Sequence, residues 1–208
     1  MGNDDRLQTE AQDFARRISR LVSEFTGTEC PFVATKDDNR LVVRPESERG
    51  ISLLVKQEPL LTLLVDYYCE WDSDERYLRV EESSVKVYPL GAINKEPLFR
   101  YEYHRQPQGH VPCAHLQIHA HSDAFTHLLG WPGRHSRRAR DRKDRGLSRF
   151  PTVSEFHFPL GGPRFRPALE DILEVLQEEF GLKTGENWLE VCRKSRTRWR
   201  RIQLAAAV

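Results

Sequence analysis

Apolar positions along this 208-residue chain follow two different periods, and the change from one to the other divides it. Leu7, Ala11, Phe14, Ile18, Leu21 and Phe25 recur at alternating four- and three-residue steps, which places them on one helical stripe. The spacing predicts a helix over residues 4–26, ended by Gly27 as its C′ residue. Its stripe is narrow and heptad-like, suited to covering a sheet or to meeting a partner helix.

From residue 30 the pattern becomes short β-rich runs between turn residues. FVA (32–34), LVV (41–43), ISLLVK (51–56), LLTLLVDYYCEW (60–71), YLRVE (77–81), SVKVY (84–88), LFRYEYH (98–104), AHLQIHA (114–120) and EFHF (155–158) are the predicted strands. Short connections and half-polar alternation predict an antiparallel meander. SDAFTHLLG (122–130) reads as a short helix, and residues 134–149 as a mobile basic loop with seven arginines, one lysine and two aspartates. ALEDILEVLQEEF, stopped by Gly181, and a last helix over residues 186–206 close the chain. The expected fold is therefore α+β: one domain over residues 1–208, with a meander sheet (30–160) covered by an N-terminal helix (1–27) and a C-terminal helical pair (166–206).

Composition narrows the class. At 38% apolar and 30% charged, the chain buries a core under a solvated surface. It has no apolar run of the ~20 residues that span a bilayer. The polar start MGNDDRLQTE lacks the features of a signal peptide, so a cytoplasmic protein without a membrane partner is expected. Four dispersed cysteines, Cys30, Cys69, Cys113 and Cys192, read as reduced and mostly buried thiols. Residues 1–100 carry 14 basic and 19 acidic side chains, and residues 101–208 carry 18 and 12, so a polyanion should meet the second half.

The densest candidate chemistry is HLQIHAH. If it is a strand, His115, Gln117, His119 and His121 share one face and Leu116, Ile118 and Ala120 the other. With the apolar set on the core, the histidines should lie on the open face or line a cleft. Arg100, Glu102 and His104 sort the same way on the preceding strand, as do Glu155 and His157 in EFHF. If these strands are neighbours, their polar sides merge. Such a surface suits metal-free general acid–base work by His115, His119, His121, His104, His157 and Glu102, with Arg100 holding a phosphate. It also suits a divalent metal held by histidines at i and i+2, completed from the next strand. The plain alternative is a solvated polar face. No H-E-x-x-H, C-x-x-C, P-loop, dinucleotide, nucleophile-elbow or kinase motif occurs.

Arginines supply further candidates. Arg137, Arg138 and Arg140 in the basic loop, and Arg164 and Arg166 in GGPRFRP, are candidate phosphate binders, although GGPRFRP also reads as a structural turn into a helix. RKSRTRWRR (193–201) holds six basic residues around Trp199. A helix C-terminus favours such cations, and an RNA-facing helix is the sharper reading.

The order LFRYEYH, turn, HLQIHAH, strand and ALEDILEVLQEEF resembles small bacterial toxin–antitoxin proteins of the TumE type over roughly residues 97–180. Where that family has Asp-Asn after its R-Y pair, this chain has Glu102 and Tyr103. The resemblance implies a toxin-like ribonuclease role with functional strand histidines. RNA and a cognate protein partner are the expected ligands. The competing expectations are a non-enzymatic regulatory protein, with a homodimer through the N-terminal helix, and a metal-binding protein.

Overall fold

The computed structural model describes residues 3–37, 40–72, 74–109, 111–120, 152–155, 157–161 and 166–205. Among them the chain forms α1 (Asn3–Thr26), β1 (Phe32–Asp37), β2 (Arg40–Pro45), β3 (Ile51–Val55), β4 (Glu58–Trp71), β5 (Leu78–Pro89), β6 (Phe99–His104), β7 (Ala114–Ile118), β8 (Phe158–Gly161), α2 (Leu169–Phe180) and α3 (Trp188–Ala205). This is the α+β layout read from the pattern: an antiparallel sheet with an N-terminal helix and two C-terminal helices. None of these helices is long and apolar enough to cross a membrane. The short helix expected at 122–130, the basic loop at 134–149, and His121, Arg137, Arg138, Arg140 and Arg164 lie outside the described residues.

The sheet runs β1-β2-β4-β5-β6-β7-β8, with β3 paired to β4 off that path. The 14-residue β4 is long enough to take two neighbours on one edge, β3 against its first half and β2 against its second. β5 is one unbroken strand where the sequence suggests two. The polar run Glu81 to Ser84 looks like a turn, but Glu82 and Ser83 pair with β4 on one side and β6 on the other. Ladder bonds on both edges outweigh low strand propensity there.

α1 lays its stripe on the sheet. Ala11, Ile18, Leu21 and Phe25 are buried in the core, with Leu7 and Phe14 packed at its margin. Two serines on its surface also anchor the following chain: the Cys30 N–H donates to Ser23 Oγ and the Phe32 N–H to Ser19 Oγ, both at 2.8 Å. Leu61, Leu63, Val65, Tyr67 and Cys69 of β4, with Val85 and Val87 of β5, supply the sheet's half of that core. α2 adds Leu169, Ile172, Leu173 and Leu176, and α3 adds Trp188 and Cys192.

The helices lock to one another by specific contacts. Phe25 and Trp188 meet edge to face at 5.3 Å between ring centroids. The Ser195 hydroxyl donates to the buried Glu170 carboxylate, and Arg196 bridges Asp171 and Glu174. Gly185 brings the α2–α3 connection against the end of α1. Its N–H donates to Phe25 O, and a Cβ there would sit 2.3 Å from Glu24 O. All four cysteines are free thiols, and burial pushes Cys69 up to about 12 and Cys192 to about 11.

Candidate functional site

β6 and β7 are antiparallel neighbours in a register that sets Arg100 opposite Gln117 and Glu102 opposite His115. β5 lies on the other edge of β6, with Glu82 opposite His104 and Ser84 opposite Glu102. Because side chains alternate, Arg100, Glu102, His104, His115 and Gln117 share the sheet face that points away from the helices. Tyr101 and Tyr103 point to the helical side.

The shared face is organised around two buried residues on β7. His115 is 1% exposed and Gln117 4%. His115 Nδ1 lies 3.0 Å from the Pro112 carbonyl, an acceptor, so that nitrogen carries a proton and donates. Its Nε2 lies 3.2 Å from Glu102 Oε2. A carbonyl on one side and a carboxyl on the other mean that a proton also lies between Nε2 and Oε2. Arg100 Nε approaches the same Oε2 at 3.4 Å. Burial raises the Glu102 pKa, but the His115 hydrogen bond and the charges of Arg100, His115 and His104 outweigh it. The carboxyl is held below its ordinary value.

Gln117 fixes the second half of the network. Its Oε1 accepts from Arg100 Nε, and its Nε2 donates to Ser154 O at 3.0 Å. A donor-only partner on one side and an acceptor-only partner on the other settle the amide orientation. Gln117 Nε2 also lies 2.8 Å from His157 Nε2, which must therefore accept, leaving His157 neutral with its proton on Nδ1. The His157 ring lies tilted against that of His115, with centroids 4.9 Å apart.

This arrangement corrects several expectations. The histidine side of β7 is the covered side, and Ile118 is the one at 36% exposure. The cover is the segment before β8. Residues 153–155 form a 3-10 turn rather than part of a strand, with Val153 buried and Ser154 tied to Gln117. EFHF is thus not one strand: Glu155 ends the 3-10 turn and Phe158 begins β8. β7 also stops at Ile118, so His119 lies beyond it. Its N–H donates to Leu98 O, and its Nδ1 is 3.5 Å from Glu96 rather than near Glu102. Arg166 is on the opposite side of the sheet, its guanidinium 5.1 Å from the Tyr67 ring and 4.3 Å from Trp199.

What remains accessible is a row on β6. Arg100 is 31% exposed, Glu102 17% and His104 40%, and His104 Nδ1 faces Glu82 at 3.4 Å. Pro112, Ser154 and Glu82 were not legible as site residues: the first two contribute backbone carbonyls, and Glu82 sits in a run that reads as a turn. Among the described residues no group of three or more His, Cys, Asp or Glu side chains converges to hold a metal ion.

No family model matches the chain, and no curated protein or solved structure matches it.

Proposed function

We propose that the chain is a ribonuclease-like component of a bacterial toxin–antitoxin module, acting in the cytoplasm through the β6 row. The observation behind this reading is that Arg100, Glu102 and His104 stand in sequence on one partly exposed face of β6, with Glu102 kept ionised by its neighbours. Alternate residues on a strand are about 7 Å apart, so the three span a phosphodiester and its sugar. Glu102 takes the proton from a ribose 2′ hydroxyl as the 2′ oxygen attacks phosphorus. The bond to the 5′ oxygen breaks, and His104 supplies the proton that this oxygen needs. Arg100 balances charge building on the phosphoryl oxygens. His115 has both ring nitrogens occupied and almost no exposure, so it positions Glu102 and does not touch substrate.

A second reading is a non-enzymatic binding protein. The burial of His115 and Gln117 favours it, since a satisfied internal network also serves as a structural lock. Incubation of purified protein with a defined single-stranded RNA separates the two. On the enzymatic reading, wild type leaves 2′,3′-cyclic phosphate ends, and Glu102→Gln and His104→Ala each cut more slowly by about a hundredfold or more. Intact RNA with wild type, or equal cutting by Glu102→Gln, removes the enzymatic reading.

A further inference from the structure

α3 carries six basic side chains and one acidic one, and its two sides are sharply different. Trp188 and Cys192 are buried, and Ser195 and Trp199 are half-buried beside them, which fixes the inner side. Arg193, Thr197, Arg200 and Arg201 are exposed and, at 3.6 residues per turn, fall on the outer side. Lys194 is paired with Glu190, and Arg196 with Asp171 and Glu174. Among the described residues Arg193, Arg198, Arg200 and Arg201 have no carboxylate partner.

The helix dipole does not account for them. It acts on the last turn, and because α3 continues to Ala205 its last turn holds no basic residue. α1, packed antiparallel against α3, adds to the same field. Arg17 of α1 lies close enough to Arg198 that this like charge, after burial, is the next largest cause of its lowered pKa. Asp13 and Glu10 act in the opposite direction, each more weakly than Arg198, and Arg20 stands exposed on the same helix. Like charges held together in the folded chain cost free energy that a polyanion relieves.

We infer that the outer side of α3 is a docking surface for the phosphate backbone of a nucleic acid. Arg193 to Arg201 covers about 12 Å of helix axis, the length of three to four phosphates along one strand. Protein interfaces centre on aromatic and aliphatic anchors with few charges, whereas this side carries Arg193, Arg200 and Arg201 around Thr197, with exposed Leu189 and the Lys194–Glu190 pair towards its N-terminal end. Trp199 is turned inward against Arg166, so no ring on this side stacks on bases and binding reads no sequence. The surface lies on the helical side of the sheet, opposite the β6 row, and does not depend on the cleavage reading.

The experiment uses the full chain carrying Glu102→Gln, so that bound RNA is not cut, and follows fluorescence anisotropy of labelled single-stranded RNA and duplex DNA across salt concentrations. The two probes show which nucleic acid supplies the phosphates. Replacing Arg193, Arg200 and Arg201 together with alanine is expected to weaken binding at least tenfold. It should also flatten the slope of log K against log salt for RNA by about 2, since each phosphate neutralised contributes about 0.7. The matching triple lysine variant keeps most of the affinity, and circular dichroism checks that both variants fold. Unchanged affinity and slope in a folded alanine variant overturns the inference. So does loss of binding only when Arg137, Arg138 and Arg140 are replaced, or tighter binding of a poly-glutamate peptide than of either nucleic acid. Binding is read separately from cleavage, so an inactive wild type leaves this result standing.

Discussion

Glu102 is the residue on which the site turns, because Arg100 and His115 both approach its Oε2. With its folded pKa depressed, the carboxylate adds stability that is complete above the unfolded value and is lost as pH falls through the folded one. The urea midpoint of wild type should therefore exceed that of Glu102→Gln at neutral pH, and the gap should close on acidification below the ordinary glutamate range. A gap independent of pH would mean that the charge of Glu102 contributes nothing. Replacing His115 with Phe keeps a ring in the same space but removes both donors, leaving the Pro112 carbonyl unsatisfied and Glu102 with Arg100 alone. An unfolding free energy lower by about 1–3 kcal/mol is expected. At this scale the sequence was partly legible. Alternation sorted Arg100, Glu102 and His104 together, but nothing in HLQIHAH shows that Pro112 and Ser154 close over it.

Elements were legible where one period ran long enough to bury a face. α1 and α2 needed only their own spacing, and β4 its dense apolar run. β5 was split in reading because four polar residues interrupt its alternation, and pairing on both edges carries it through. The β3–β4 hairpin is the opposite case. Lys56 and Gln57 form its two-residue turn with φ of 48° and 72°, and neither residue type signals such a turn. Both positions are strained for these side chains, whereas Asn-Gly suits positive φ at both. Lys56→Asn with Gln57→Gly is expected to raise stability by about 1 kcal/mol. Chemical denaturation measures it, and an unchanged or lower midpoint would show that the turn carries no strain.

Across the whole molecule, the chain's first and last helices pack on each other over one sheet face. α1 contributes Ala11, Ala15, Ile18, Leu21, Val22 and Phe25 to the core and holds α3 through Trp188. Removing residues 1–27 should therefore abolish cooperative unfolding and expose the apolar face of the sheet to aggregation. A truncated chain that stays folded would make α1 an appendage, free to serve a partner. The charge asymmetry read along the chain gains a location here: part of the positive excess of residues 101–208 lies along α3, on the helical side.

The sequence by itself determined the period of each long element, and with it the fold class, the core stripe of α1 and the row on β6. These follow from contacts within a few residues or from alternation along one strand. Only the tertiary structure decided which face of β7 is covered, since alternation separates two faces without saying what lies over either. A turn about forty residues later made that choice, and it moved the accessible chemistry from the histidine strand to its neighbour. The same long-range folding took Arg166 away from the phosphate candidates and set it between Tyr67 and Trp199. Register and cover depend on chain segments far apart in sequence, and no local pattern encodes them.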